Sequence, residues 1–159
     1  MTGILKNGDD LAEAIMSKAD LHENDIVVIS SKAVATVEGA AYDLKKMTPS
    51  DEAITLAKLC GKTPELREAM LLEMKRMHGT IVRKNKFAVL TEVQPDGMQG
   101  SILVASAGLD ESNAGEHKAI GWPRDPVASV QKLRDDLQKK SGKKIAVIIT
   151  DSCCRPRRL

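Results

Sequence analysis

The chain has 159 residues, 42% hydrophobic and 29% charged, with a formal net charge of +2. That length implies one domain with a sizeable core, and the near-balance of charge gives no electrostatic reason to expect nucleic acid or an anionic membrane as partner. No apolar run approaches the roughly 20 residues that a membrane helix needs, and Tyr42, Phe87 and Trp122 are the only aromatic residues. The core is therefore expected from Ile, Leu, Val, Ala and Met. The opening MTGILKNGDD lacks a signal-peptide core. Cys60, Cys153 and Cys154 make no disulfide framework, so the expectation is reduced thiols in the cytoplasm.

Helix and strand signals alternate. NGDDLAEAIMSKA predicts a helix capped by Asp9 or Asp10, with Leu11 and Ile15 on one face. DIVVISSKAVATVEG predicts a strand over 26–29, then a polar loop and a second short strand near Val34. In TPSDEAITLAKLCGK, Thr48 is the expected N-cap, Pro49 the first helical residue and Gly61 the stop. TPELREAMLLEMKRMHG repeats the device with Thr63, Pro64 and Gly79. Its Leu66, Met70, Met74 and Met77 fall at helical spacing and read as core packing.

The stretch 80–93 predicts two strands or one bent strand, and SILVASAG, 101–108, a strand ending at glycine. LDESNAGEHKAIGWPRDP is a long irregular loop, a length that is often functional. Asp125 and Pro126 open the last helix, Gly142 closes it, and KKIAVIITD is the final strand. A helix between two strands predicts a crossover and a parallel pair. The fold class expected is α/β (α+β), a mixed sheet with parallel pairs flanked by helices, in a single domain over 1–159.

Two strands run into polar ends. SILVASAG leads to Asp110, Glu111, Ser112 and Asn113, and IAVIITD leads to Asp151 and Ser152. In a parallel pair both ends would lie on one sheet edge, where α/β proteins bind ligands. Two carboxylates with nearby hydroxyl and amide oxygens are hard donors suited to Mg²⁺ or Mn²⁺. An acid ending an apolar strand is also how many nucleotide enzymes hold their metal. The plainer alternative is that Asp110 and Asp151 cap turns. Ser30, Ser31 and Lys32 could hold phosphate oxygens. No Gly-rich P-loop accompanies them, and on pattern alone a solvated loop is the better reading. His22, His78 and His117 show no metal spacing, and vicinal cysteines are not a zinc signature.

The order DDLAEAI, DIVVISSKAVATVEG, PSDEA, LLEMKRM, ASAGLDESN, DPVASVQKLRDDL, IAVIITDSCCRPRR resembles the coenzyme F-420:L-glutamate ligases. The most specific pieces are AGLDESN at 107–113 and ITDSCCRPRR at 149–158, roughly AGxDxSN and ITDTxGRxxR in that family. The resemblance runs from about Gly3 to Arg158. It corresponds to the N-terminal part of the family, whose members continue beyond the position of Leu159.

What the resemblance implies is an α/β homodimer with intertwined subunits. It would use GTP to phosphorylate a carboxylate of a deazaflavin precursor and join L-glutamate to the acyl-phosphate. Asp110 and Asp151 match the family's divalent-metal aspartates, and Ser152 stands where the family has a metal-binding threonine. Asn113 matches an asparagine that contacts the nucleotide, and Ser31 and Lys32 fall near it. Catalytic residues stay unassigned. Ala35 and Thr36 replace the family's Ser-Lys before Glu38-Gly39, and Cys154 replaces its glycine. A non-catalytic relative, serving as a nucleotide- or metal-binding module or a partial subunit, is the alternative.

Overall fold

The computed structural model describes residues 5–111 and 115–151. In chain order it forms α1 (Leu11–Met16), β1 (Ile26–Ser30), α2 (Ser31–Val37), β2 (Ala41–Asp43), α3 (Asp51–Cys60), α4 (Pro64–Arg76), β3 (Thr80–Lys84), β4 (Val89–Val93), β5 (Ile102–Ala105), β6 (Lys118–Ile120), α5 (Pro126–Ser141) and β7 (Ala146–Thr150). These elements fall into two compact units, one drawing on Met1–Ala40 and Trp122–Asp151, the other on Ala41–Gly121. Helices accompany both parallel and antiparallel sheets, so the content is α/β. Among the described residues no helix is long and apolar enough to cross a membrane.

In the first unit β1 and β7 pair in parallel, from Ile26 opposite Ala146 to Ser30 opposite Thr150. Successive side chains of a strand point to opposite faces. Val27, Ile29, Val147 and Ile149 accordingly pack on a core of Leu11, Leu21, Val34, Leu133, Leu137 and Ile145. The alternate residues Ile26, Val28 and Ile148 are 62%, 61% and 47% exposed. The expected crossover exists, but its partner differs from the expectation. β7 pairs with β1, whereas β5 lies in an antiparallel sheet ordered β3-β4-β5 in the second unit. A local pattern signals that a strand exists, not which distant strand completes it.

Capping sets the helix ends. Asp10 Oδ1 accepts from the Glu13 backbone N–H at 2.9 Å and opens α1. Asp125 Oδ1 accepts from Ala128 at 2.9 Å, Pro126 follows, and Gly142 ends α5 in the left-handed conformation. The segment after β1 is a helix, not the expected loop and short strand. Ser30 Oγ accepts from the Lys32 N–H at 3.3 Å, and Val34 and Ala35 are buried. Burial of one helical face overrides the β preference of Val34, Thr36 and Val37.

In the second unit α3 begins two residues later than its sequence signal, with Ser50 instead of Thr48 as cap. Ser50 Oγ accepts from Ala53 and donates to Glu68 Oε2 of α4 at 2.6 Å, which anchors the cap. Thr63 caps α4 as expected, and Leu66, Met70 and Met77 are buried. The same helical face carries Glu73, fully buried. Arg76 donates to it from Nε (3.1 Å) and Nη2 (2.8 Å), and the Tyr42 hydroxyl of β2 donates at 2.6 Å. Residue 121 must be glycine here, since a Cβ would sit 2.5 Å from Glu73 Oε1. Burial alone would lower the Arg76 pKa, but the hydrogen bond and charge of Glu73 outweigh it and the net shift is upward.

Two outcomes follow from these contacts. Removing one charge of the pair leaves the other less compensated, so Glu73→Gln or Arg76→Met should lower unfolding free energy, by up to about 3–5 kcal/mol. Joint replacement by Leu and Met should lower it less, as read by urea denaturation. Asp10 is held below its ordinary value, first by the Glu13 N–H and then by Lys140, whose ammonium lies 3.0 Å away. A depressed carboxyl contributes stability that is present above its unfolded pKa and lost as pH falls through the folded one. Acid titration below about pH 4 should therefore weaken the wild type more steeply than Asp10→Asn, which keeps a cap but does not titrate.

Candidate functional site

The parallel register brings the C-terminal ends of β1 and β7 to one edge, and polar residues gather there. Ser30 and Thr150 stand opposite each other. Ser31, the first residue of α2, is 2% exposed, and among the described residues its Oγ has no hydrogen-bond partner. Leaving a buried hydroxyl unpaired costs about 1–3 kcal/mol, which a ligand would offset. Lys32 Nζ lies 3.7 Å from Asp151 Oδ2, with side chains 12% and 19% exposed. The Thr36 hydroxyl donates to the Lys32 carbonyl at 2.7 Å. Ser31, Lys32 and Asp151 thus meet on one strand edge, although the sequence places them far apart.

Asp110 belongs to the second unit. β5 ends at Ala105 and turns sharply through Ser106–Gly108, where Ser106, Ala107 and Gly108 take φ of 49°, 53° and 74°. Each non-glycine residue in that left-handed region costs about 1–2 kcal/mol. Thr91 Oγ1 of β4 accepts from the Ala107 N–H at 3.0 Å and donates to the Val104 carbonyl at 2.8 Å. Beyond the turn Asp110 pairs with Ile120, its N–H on the Ile120 carbonyl at 3.0 Å and the return bond at 2.8 Å. Glu111 is held by Lys62 at 2.7 Å. A cavity of about 510 Å³ beside this loop is lined by residues including Lys45, Thr63, Glu111, His117 and Lys118.

The single-edge argument for Asp110 and Asp151 assumed that β5 and β7 pair. They do not, and the two acids are carried by different units. Asn113 and Ser152 lie outside the described residues, as do Cys153 and Cys154. Among the described residues no group of three or more His, Cys, Asp or Glu could cage a metal. A hard divalent ion that keeps its waters and shares substrate phosphates needs only one or two carboxylates. Asp151, with the nearby hydroxyls of Thr150 and Ser31, offers donors of that kind.

Sequence reasoning missed Arg67, which is 1% exposed in α4. It donates to the carbonyls of Cys60 (3.0 Å) and Gly61 (3.2 Å) and to Ser106 Oγ (3.3 Å). Desolvation lowers its pKa, opposed by Cys60 and Glu111. Its position one turn after Thr63 and three residues before the buried Met70 is the signal that could have flagged it.

Such a molecule is an α/β protein with polar side chains converging where parallel strands end. The whole chain, residues 1–159, matches the family model described as F420-0:gamma-glutamyl ligase, and it belongs to that family. It is 40% identical over 154 residues to a coenzyme F420:L-glutamate ligase of Methanopyrus kandleri, covering 97% of this chain and 58% of that protein. The Methanothermobacter thermautotrophicus protein of the same name is 36% identical over 156 residues, covering 95% and 58%. That of Methanocaldococcus jannaschii is 34% identical over 157 residues, covering 98% and 59%. The chain therefore spans under three-fifths of the length of these relatives.

If Asp151 holds a hard cation, ligand linkage should raise the melting temperature of wild type in millimolar Mn²⁺. The rise should be about 2–4 °C per kcal/mol of binding free energy. Asp151→Asn should abolish it in differential scanning calorimetry. A wild-type curve indifferent to Mn²⁺ would sink this assignment.

Proposed function

We propose that this chain holds nucleotide and divalent metal for a GTP-dependent ligase that joins L-glutamate to a carboxylate of a deazaflavin coenzyme F420 precursor. The observation that carries the reading is the meeting of Ser31, Lys32 and Asp151 at the end of the parallel pair. Family membership supports the reaction class. The proposed donors to Mg²⁺ or Mn²⁺ are Asp110, Asp151 and Ser152, with Ser31, Lys32 and Asn113 toward the nucleotide. A homodimer is part of the same proposal.

The chemistry explains why such residues are needed. Glutamate's amine cannot displace oxide from a carboxylate, so the acceptor is first phosphorylated by GTP and the amine then expels phosphate. A bound divalent ion neutralises charge spread over the transferring phosphoryl group. Lys32 supplies an ammonium at the same edge. It precedes Thr36 by one turn of α2, on the same face. Its flexible stem can span the 5.4 Å pitch toward the region a lysine at position 36 would serve. Ser31 offers its hydroxyl to a phosphate oxygen, and Asp151 is delivered by a rigid strand.

Thr36 and Ala35, standing where the resemblance places Ser-Lys, favour a second reading: a nucleotide- and metal-binding module that does not ligate. Calorimetric titration of GTP with and without Mn²⁺, beside Asp110→Ala and Asp151→Asn, tests both. Mn²⁺-dependent GTP binding, weakened at least about tenfold (1.4 kcal/mol) in either variant, is the expected result. Glutamate ligation in the same mixtures separates ligase from module. No GTP binding in the presence of Mn²⁺ would overturn both readings.

A further inference from the structure

Arg67 is a buried cation with an unusual set of partners. Among the described residues no carboxylate forms an ion pair with it. Its donors go instead to the carbonyls of Cys60 and Gly61, to Ser106 Oγ, and weakly to Met70 Sδ at 3.6 Å. Cys60 is the last residue of α3, so two of those acceptors sit at the negative end of a helix. That end stabilises the guanidinium where an acid would otherwise be required. A buried arginine that only filled space would be better replaced by methionine or leucine. The Ser106 hydroxyl distinguishes this one, because Ser106 opens the left-handed turn that leads to Asp110.

The turn is held from both sides. Arg67 Nη1 reaches Ser106 from α4, and Thr91 takes the N–H of the buried Ala107 from β4. Three residues after Ala107, Asp110 is locked in register with Ile120. Ser106 and Ala107 keep a backbone conformation that non-glycine residues rarely adopt, and such conformations persist only where the surroundings over-determine them.

We propose that Arg67 is a positioning residue for the metal site. By bridging the end of α3 to Ser106 it fixes the strained turn, and through that turn it sets the orientation in which Asp110 meets a divalent cation. The role rests on the reading of Asp110 as a metal ligand given above. Neither Arg67 nor Ser106 needs to touch the ion.

The test is Mn²⁺ binding by the complete 159-residue chain, followed by the electron paramagnetic resonance signal of free Mn²⁺, with Asp110→Asn as control. Arg67→Met should weaken Mn²⁺ binding by about tenfold or more, as loss of groups that orient a ligand does. Arg67→Lys should recover part of that loss, because an ammonium still donates to some of these oxygens. Ser106→Gly relaxes the left-handed strain and removes the acceptor together. It should keep or raise the melting temperature while weakening Mn²⁺ binding. A purely structural role would move stability and affinity in the same direction. If Arg67→Met fails to fold, Ser106→Gly and Arg67→Lys carry the measurement. Wild-type affinity retained in Ser106→Gly and Arg67→Lys would overturn the role of Arg67 alone. Absence of any Asp110-dependent Mn²⁺ signal in wild type would overturn the metal reading, and the role of Arg67 with it.

Discussion

The pairing of β1 with β7 governs the first unit. Parallel strands cannot be joined by a tight turn, so the chain between them has to leave and return. Everything from Ala41 to Gly121 is accommodated inside that excursion and falls in the second compact unit. Parallel register then does what an antiparallel hairpin could not: both strands finish at the same edge. Lys32, one residue into the helix that follows β1, reaches Asp151, the residue that follows β7.

The second unit solves a different problem. With only Tyr42, Phe87 and Trp122 as aromatic residues, the chain has few large rigid side chains for a core. α4 buries methionines, which fill irregular space, and beside them two charged residues on one turn-and-a-half of helix. Glu73 is neutralised locally by Arg76 and takes a hydrogen bond from Tyr42. Arg67 is satisfied by carbonyls at the end of α3 and by a hydroxyl. Each ties α4 to another element: Glu73 to β2, Arg67 to the turn after β5. Oriented polar bonds of this kind specify one packing arrangement where flexible methionines would accept several.

Local chemistry made much of this legible. Thr63 with Pro64, Asp125 with Pro126 and the terminal Gly142 each place a hydrogen-bond acceptor, a preset φ or a left-handed stop where a helix end needs one. The structure uses all of them. Ser50 displaced Thr48 because its partner, Glu68, comes from a neighbouring helix, which no local window contains. The helix at Ser31–Val37 was hidden by β-branched residues whose burial decides the matter. Strand pairing was the least legible, since β7 signals its hydrophobicity but not its partner. Lys32 was visible as a polar loop residue, but its approach to Asp151 depends on that pairing. Arg67 and Glu73 carry no local sequence signal of burial, since charged residues are ordinarily exposed. Only the tertiary packing puts them inside.

The ladder between β2 and β6 bears on how the chain reaches this state. Ala41 pairs with Ile120, so the second unit begins and ends at neighbouring backbone positions. In the unfolded chain, joining β1 to β7 means closing a very long loop, and that entropy must be met before the contacts return anything. Once β2 and β6 have paired, the intervening chain contributes almost no further closure entropy, because its two ends already coincide. Assembly in time should then depart from the order of synthesis, because β1 is made first but pairs last. The inserted segment forms first, and the strands that flank it are brought together afterwards.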